Sequence, residues 1–320
     1  MEKGEEKTNM ISSTHNHSTG SDGKLSPEEL IEKAIELGWD YVYFTDHFLN
    51  PKKAGIIYED DNYFNNNYIN EIKHLKEKYK DKIEVCFGVE LGWLNSYEKW
   101  LKEQSKKYNF DYVIGSIHDI IDKNKKPHSM ESGKENWLKS AKSFGGIEEF
   151  VKEYYKQIKL LIKSKIFDSV GHLDYIKVYN REQDLFSEKA DWYKKEVLSV
   201  LDLIKKNKIA LEINHGGIRK CKAAFPSLWI LKEAKKRNIP ITLGIDAHLA
   251  EHLNNKIMNQ LIQIAKQTGY DSVVRFKDRK MIVLSPNIIS PLYFIPFILF
   301  IHILLTSKTL LILIPVFSFL

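Results

Sequence analysis

The chain has 320 residues, of which 43% are apolar and 28% charged, and its formal net charge is +6. This composition is typical of a folded globular protein and excludes an extensively disordered chain. The net charge is too small for this length to indicate a nucleic-acid partner, and we expect none. Cys86 and Cys221 are too far apart to indicate a disulfide framework or a thiolate metal site. No apolar export signal opens the sequence, so we expect a cytoplasmic protein.

Short β-branched or aromatic runs alternate along the chain with longer amphipathic stretches. This alternation indicates repeated strand–helix units around a parallel sheet or barrel. The sequence predicts seven strands, near residues 10–14, 41–45, 83–89, 112–117, 169–171, 209–213 and 241–245.

The clearest predicted helix follows Ser26, where Ser-Pro-Glu-Glu combines an N-cap, a proline at the first helical position and a capping-box glutamate. It should run to about Leu37, because Gly38 is a typical helix stop. The segment 122–146, rich in Lys, Ser and Gly, is predicted to be a long loop with His128 exposed in it. Further helices are predicted near residues 65–80, 96–107, 147–165, 188–206, 226–237 and 255–267.

Histidines and carboxylates recur where the predicted strands end. His15 and His17 form a His-x-His pair after the first strand, where alternate side chains face the same way, and Asp22 follows on a turn. In a barrel of parallel strands the carboxyl ends meet at one mouth. Nine potential ligands would converge there and predict a multinuclear metal site. The six further ligands that follow later strands are His47, Glu90, His118, His172, Asp246 and His248.

The ligand types indicate both the metal and the chemistry. Imidazole and oxygen ligands without cysteine suit zinc, manganese or iron, and the sequence does not choose among them. Clustered divalent ions favour hydrolysis, because they lower the pKa of bound water to about 7 and clamp the oxygens of an in-line displacement. The pattern therefore indicates hydrolysis of a phosphate ester.

Taken together, these motifs resemble those of the polymerase-and-histidinol-phosphatase (PHP) superfamily, and within it the histidinol-phosphatase family. The resemblance spans about residues 11–250. It implies an α/β fold, a distorted seven-stranded (β/α) barrel of the TIM-like type, with three divalent metal ions. Carried over to this sequence, it implies one ion held by His15, His17, Glu90 and Asp246, a second by Glu90, His118 and His172, and a third by Asp22, His47 and His248.

Narrower features point to the histidinol-phosphatases. The tetrapeptides GSIH, ending at His118, and LEIN, ending at Asn214, are similar to segments of that family. The resemblance implies a phosphomonoesterase of histidine biosynthesis that converts L-histidinol phosphate to L-histidinol and phosphate. A metal-bridging hydroxide is expected to attack phosphorus, with Glu90, Asp246 and His248 as the catalytic residues.

Arg219 is the candidate for phosphate recognition, because a guanidinium can bind two phosphate oxygens in a fixed fork. Lys177 and Arg181, soon after the fifth strand, are further substrate-binding candidates, and a solvated surface position is the alternative for all three cations. The chain departs from the family pattern at His215 and Ile245. These departures concern the substrate pocket, and His215 either touches substrate or has no ligand role.

Two other functions stay open on the sequence alone. A phosphoesterase of the same superfamily could act on a nucleotide, a sugar phosphate or a nucleic-acid end. A catalytically weak metal-binding module, tethered to a membrane by its tail, is the second alternative. The sequence does not determine the oligomeric state.

The last part of the chain differs in composition from the rest. Residues 288–306 carry no formal charge and as a helix would span about 28 Å, close to the hydrocarbon thickness of a bilayer. Pro296 would kink such a helix. We therefore divide the chain into a phosphatase barrel over 1–286 and an apolar tail over 287–320. The tail is a membrane anchor, an interfacial or partner-binding segment, or an extension that is not a selected part of the enzyme.

Overall fold

A parallel sheet forms the centre of the computed structural model, which describes residues 11–48 and 66–284. The parallel strands follow one another in the order β1-β3-β4-β7-β8-β9, and β2 pairs with β3. Two antiparallel hairpins, β5–β6 and β10–β11, lie outside it. The strands in chain order are β1 (Tyr41–Phe44), β2 (His47–Phe48), β3 (Glu84–Gly92), β4 (Tyr112–Ser116), β5 (Asp119–Ile121), β6 (Pro127–Ser129), β7 (Ser169–Val170), β8 (Ala210–Asn214), β9 (Ile241–Gly244), β10 (Val273–Lys277) and β11 (Lys280–Leu284).

The first predicted strand, over 10–14, is not a strand within the described residues. A single parallel bridge joins Asn16 to Ala247, and the His17 N–H donates to the Ala247 carbonyl at 2.8 Å. On the other side, the Thr45 N–H donates to the Asn16 carbonyl at 3.0 Å. Ala247 follows β9 and Thr45 follows β1, so this segment hydrogen-bonds to both edges of the sheet. The sheet is therefore curled.

Helices pack around the curled sheet, as the alternating pattern predicts. The first begins as expected: the Ser26 side chain accepts from the Glu29 N–H, and the Glu29 carboxylate accepts from the Ser26 N–H at 2.8 Å. The helices are α1 (Pro27–Glu36), α2 (Asn66–Lys78), α3 (Glu98–Lys107), α4 (Lys134–Ser143), α5 (Ile147–Ser164), α6 (Asp191–Asn207), α7 (Gly216–Cys221), α8 (Leu228–Lys236) and α9 (Asn255–Gln267).

The predicted loop over 122–146 is wrong in its second half, which forms helix α4. Trp137 and Ala141, four residues apart, are buried on one face of this helix and anchor it to the core. The neighbouring lysines hid this short apolar stripe in the sequence. His128 is also buried, contrary to expectation: its ring nitrogens lie 2.9 Å from Ser140 Oγ and 3.1 Å from Asp122 Oδ2.

The hairpin β10–β11 covers the end of the sheet where the strands begin. Phe276 stacks on Tyr112 with ring centroids 5.0 Å apart, and the Tyr43 hydroxyl donates to the Phe276 carbonyl. Arg279 pairs with Asp168 beside them. This packing buries the amino ends of the strands under aromatic side chains and leaves the functional groups to the carboxyl ends.

Across residues 11–48 and 66–284, every helix is too short or too polar to cross a bilayer. The tail predicted over 287–320, including the uncharged stretch 288–306, lies outside the described residues.

Candidate metal centre

The nine predicted ligands lie together at the carboxyl ends of the strands. Glu90 is near the end of β3, and His47, at the start of β2, is its register partner. His118 follows β4 and His172 follows β7. Asp246 is held after β9 by its N–H, which donates to the His15 carbonyl at 2.9 Å. The strand ends thus bring side chains from distant parts of the chain to one place.

The buried carboxylate of Glu90 faces imidazoles on two sides. Its Oε2 lies 3.3 Å from His15 Nε2 and 3.0 Å from His47 Nδ1. Its Oε1 lies 3.0 Å from His172 Nε2 and 3.4 Å from His118 Nε2. One carboxylate with two oxygens turned to separate imidazole pairs has the form of a bridging ligand.

Two further sets of side chains lie around Glu90, one with His17 and Asp246 and one with Asp22 and His248. His17 Nε2 lies 3.1 Å from His15 Nε2 and 3.3 Å from Asp246 Oδ1. On the outer side, Asp22 Oδ1 lies 3.3 Å from His248 Nε2. Donor atoms within 4.8 Å of one another form three groups: His17, Asp22, His47 and His248; His15, His17 and Asp246; and His47, Glu90 and His118.

These groups resemble the three ligand sets expected from the sequence, with two differences. His17 and His47 each belong to two groups, whereas Glu90, which was expected in two ligand sets, belongs only to the group with His47 and His118. His172 stands outside the three groups but is within 3.2 Å of His118 Nε2 as well as close to Glu90.

The spacing of the donor atoms fits divalent ions. Ligands around a tetrahedral zinc ion at 2.0–2.1 Å stand roughly 3.3 Å from each other, and the contacts of Glu90 and Asp246 with His15, His17 and His47 fall close to this separation. Three carboxylates and six imidazoles supply oxygen and nitrogen donors that suit zinc, manganese or iron. The arrangement therefore fits several divalent ions.

The electrostatics of the centre also favour cations. Burial alone would raise the pKa of Glu90, yet the imidazoles, His15 first among them, hold that pKa well below its usual range. Asp246 has a lowered pKa for the same reason. Glu90 outweighs the burial of His47 and raises its pKa to about 9, whereas burial with the neighbouring imidazoles lowers the pKa of His118 to about 3. The buried carboxylates are ionised and need positive charge beside them.

The loop that carries Asp22 is fixed by the carboxylate of Asp46. Asp46 accepts from the Ser18 N–H and the Ser21 hydroxyl, both at 2.7 Å, and from the Tyr68 hydroxyl at 2.5 Å. At Gly23 an added Cβ would stand 2.3 Å from the His17 carbonyl, so only glycine allows this turn. Asp46, which the sequence shows only as the neighbour of His47, thereby positions Asp22.

Arg219 lies at the edge of the centre, against the backbone that carries Asp246. Its Nη1 donates to the Ile245 carbonyl at 2.9 Å, and its Nη2 donates to the Asp246 carbonyl at 2.6 Å. His215, whose role stayed open, lies 3.3 Å from Arg219 Nη1 through Nδ1 and 2.9 Å from Gln260 Oε1 through Nε2. His215 thus contacts the guanidinium of Arg219 through one ring nitrogen and Gln260 through the other.

The other two candidate cations are engaged elsewhere. Lys177 is buried, 2% exposed, and its ammonium pairs with Asp174 at 2.7 Å. It also donates to the Ala224 carbonyl and the Ser227 hydroxyl, which uses all three of its N–H groups. These contacts leave no N–H of Lys177 for a substrate and speak against the prediction that Lys177 binds it. Arg181 is exposed and donates through Nε and Nη2 to the carbonyl of Lys220, so its guanidinium supports the end of α7.

Two residues that the sequence analysis did not select stand near the centre. Lys220 donates to the Tyr175 hydroxyl at 2.5 Å and pairs with Glu131, and the Tyr175 ring lies 4.6 Å from the ring of His172. Glu212, on β8, accepts from His15 Nδ1 at 2.6 Å. In the sequence, Glu212 stands out as the one charged residue within β8, and Lys220 is adjacent to Arg219. These features could have identified both residues.

The buried Lys177–Asp174 pair predicts a stability effect. Lys177→Met leaves Asp174 as a buried carboxylate without its cation, so we expect the free energy of unfolding to fall by about 3 kcal/mol. Denaturant unfolding measures this, with Arg181→Ala as the control, which should stay within about 0.5 kcal/mol of the parent. A stable Lys177→Met protein with a raised KM would show that Lys177 binds substrate after all.

Known proteins share both this fold and its sequence pattern. Residues 13–216 match the family model described as PHP domain. The "Probable histidinol-phosphatase" of Schizosaccharomyces pombe is 30% identical over 264 residues, which cover 75% of this chain and 81% of that protein. The histidinol-phosphatase of Lactococcus lactis subsp. lactis is 26% identical over 272 residues, covering 83% and 94% of the two chains.

The solved structures agree in fold. The crystal structure of histidinol phosphate phosphatase from Lactococcus lactis subsp. lactis, complexed with zinc, L-histidinol and phosphate, matches with a TM-score of 0.66 and 23% identity. The match covers 84% of this chain and 98% of that one. The family model spans more than half of the sequence and includes six of the seven strands of the curled sheet, so the chain belongs to the PHP domain family.

Proposed function

We propose that the protein is a metal-dependent phosphomonoesterase that hydrolyses L-histidinol phosphate to L-histidinol and phosphate. The observation that carries this is the carboxylate of Glu90, whose two oxygens contact imidazoles from four separate strand ends and loops. The names of the curated relatives support the substrate, as does the Lactococcus lactis complex with L-histidinol and phosphate.

The nine side chains would hold the ions. We propose His15, His17, Asp22, His47, Glu90, His118, His172, Asp246 and His248 as metal ligands, with Glu90, Asp246 and His248 as the catalytic residues among them. Bound divalent ions supply Lewis-acid polarisation of a phosphoryl oxygen and a water of lowered pKa. The protein fixes these ligands in a buried site, which strengthens electrostatic stabilisation of the developing charge.

Arg219 is proposed to bind the phosphate. Three of its five N–H groups donate to Ile245, Asp246 and His215 within the described part of the chain, so Nε–H and one Nη2–H remain for phosphate oxygens. The pinned guanidinium loses little freedom on binding, which favours a fixed orientation of the substrate. Lys220, next to it on α7, replaces Lys177 and Arg181 as the second candidate cation.

We propose further that the curled sheet completes the distorted seven-stranded barrel of the family. The segment around Asn16 supplies the missing contact between β9 and β1, with the hydrogen bonds to Ala247 and Thr45 as support. His15 and His17 belong to this segment, so barrel closure and ligand placement would depend on the same backbone.

The main test measures phosphate release from L-histidinol phosphate by the metal-loaded protein. Glu90→Gln and His172→Ala should each lower kcat/KM by at least about 100-fold, because each removes a donor from the centre. His74→Ala, on the exposed face of α2, is the control and should keep parent activity. A preference for phosphodiesters, nucleotides or sugar phosphates in a panel with the same metal loading would contradict the proposed substrate.

Arg219→Ala should lower kcat/KM for the phosphomonoester by about 10- to 100-fold, since a hydrogen bond to a charged group contributes about 1.5–3 kcal/mol. Arg219→Lys keeps the charge without the fork and should retain part of the activity. Steady-state kinetics of both variants, beside the exposed Arg181→Ala, measure the effect. Parent kinetics in Arg219→Ala would remove this residue from the phosphate site.

We also propose that residues 1–286 contain the phosphatase barrel and that the tail over 287–320 is an appendage. All nine proposed ligands and both hairpins lie before Pro286. A chain ending at Pro286 should therefore release phosphate at a rate within about twofold of the full chain. Circular dichroism controls for folding, and a folded but inactive truncated protein would mean that the tail contributes to the site.

A further inference from the structure

Glu212 is a fully buried carboxylate that lies behind the proposed ligands. It is 0% exposed, and its two oxygens are used in different directions. Oε1 accepts from His15 Nδ1 at 2.6 Å. Oε2 accepts from the backbone N–H of His172 at 2.9 Å and from Asn214 Nδ2 at 3.1 Å. One side chain on β8 therefore contacts two proposed ligand residues that are far apart in sequence.

The bond to His15 decides which of its ring nitrogens faces the centre. In the neutral imidazole, donation of the Nδ1 proton to Glu212 leaves the lone pair on Nε2, which lies 3.1 Å from His17 Nε2 and 3.3 Å from Glu90 Oε2. A carboxylate on the outer nitrogen also makes the inner nitrogen a stronger donor. The outer nitrogens of His118 and His172 are buried without a partner among the described residues, so this device is built at His15 in particular.

The second oxygen of Glu212, Oε2, contacts His172, which lies on the opposite side of Glu90 from His15. The His172 N–H is held by Glu212, and the His172 ring reaches Glu90 Oε1 at 3.0 Å. Because both oxygens of Glu212 belong to one rigid carboxylate, the positions of His15 and His172 are fixed relative to each other. These two residues contact the opposite oxygens of Glu90.

The absence of a side chain at Gly244 makes room for the carboxylate of Glu212. A Cβ at Gly244 would stand 1.9 Å from Glu212 Oε1 and 2.9 Å from His15 Cβ, so any larger residue on β9 would displace the contact. Burying a charge without a neighbouring cation is unfavourable. Packing alone would be served by an apolar side chain, whereas a carboxylate here would be stabilised by cations held by His15.

We propose that Glu212 is a positioning residue of the metal centre, which orients the His15 imidazole, anchors His172 and thereby sets the affinity for the ions held between them. This inference rests on the proposed metal-dependent function. It assigns Glu212 no contact with substrate or with a metal ion.

The experiment compares the full-length parent with Glu212→Gln, which keeps the shape but loses the charge. Ion affinity is measured by competition of the zinc-loaded protein with a chelator, and ligand geometry by the visible absorption of the cobalt(II)-substituted protein. We expect a 10- to 100-fold loss of zinc affinity and an altered cobalt spectrum, because the His15 ring is no longer held in one tautomer.

The matched control is Asp111→Asn. Asp111 is also a buried carboxylate, and it accepts from the Phe87 N–H at 2.8 Å and pairs with Lys76, with no contact to the nine ligands. It should lose stability toward denaturant but keep parent zinc affinity and cobalt spectrum. Equal losses of affinity in both variants, or parent affinity in folded Glu212→Gln, would overturn the proposal.

A second variant covers the case in which Glu212→Gln does not fold. Glu212→Asp keeps the charge but withdraws it from His15 by one methylene, so it should show the same loss of zinc affinity. Failure of the parent protein to bind zinc or cobalt would instead refute the proposed function. Parent affinity in Glu212→Asp, with the parent loaded normally, would refute only the role of Glu212.

Discussion

The charge of Glu90, held inside the protein, is the constraint on which the site depends. A buried carboxylate is stable only beside positive charge or hydrogen-bond donors. Here imidazoles flank both oxygens and keep the pKa of Glu90 low. Each imidazole in turn needs a carboxylate, a backbone group or an ion. The strand ends, the loops behind them and the outer carboxylates all serve to keep these groups at ligand spacing.

The fold supports this spacing with hydrogen bonds that lie outside the ligand set. Asp46 holds the turn that carries Asp22, and Glu212 holds His15 and His172 from below. At the opposite end of the sheet, aromatic packing by the β10–β11 hairpin buries the amino ends of the strands. The polar network is thereby confined to the end of the sheet where the strands finish. In barrels of parallel strands, the amino ends typically serve stability and the carboxyl ends carry the functional residues.

The contacts of each cationic side chain near the site, rather than its position in the sequence, decide whether it can bind substrate. Lys177 follows a sheet strand, as a substrate-binding residue would, but Asp174 and two further acceptors bind it in the interior. Arg219 and Lys220 lie on a short helix beside β8 and have the centre within reach. A lysine ammonium has three donors and no preferred direction. Whether it is free for a ligand is therefore a property of its surroundings, which no sequence spacing reveals.

Three features could be predicted from the sequence alone: the strand–helix alternation, the capped start of α1 at Ser26, and the set of histidines and carboxylates after the strands. These features are local, because periodicity, capping and strand ends are encoded within a few residues. Long-range packing, in contrast, sets how the segment around Asn16 contacts both sheet edges without forming a strand. It also decided that residues 134–143 form a helix, that Lys177 is buried, and that Glu212 contacts two ligands. The contacts of Asn16, Lys177 and Glu212 include partners more than 25 residues away in sequence. The helix depends on the burial of Trp137 against Phe150. Such burial and hydrogen bonding outweigh the local pattern.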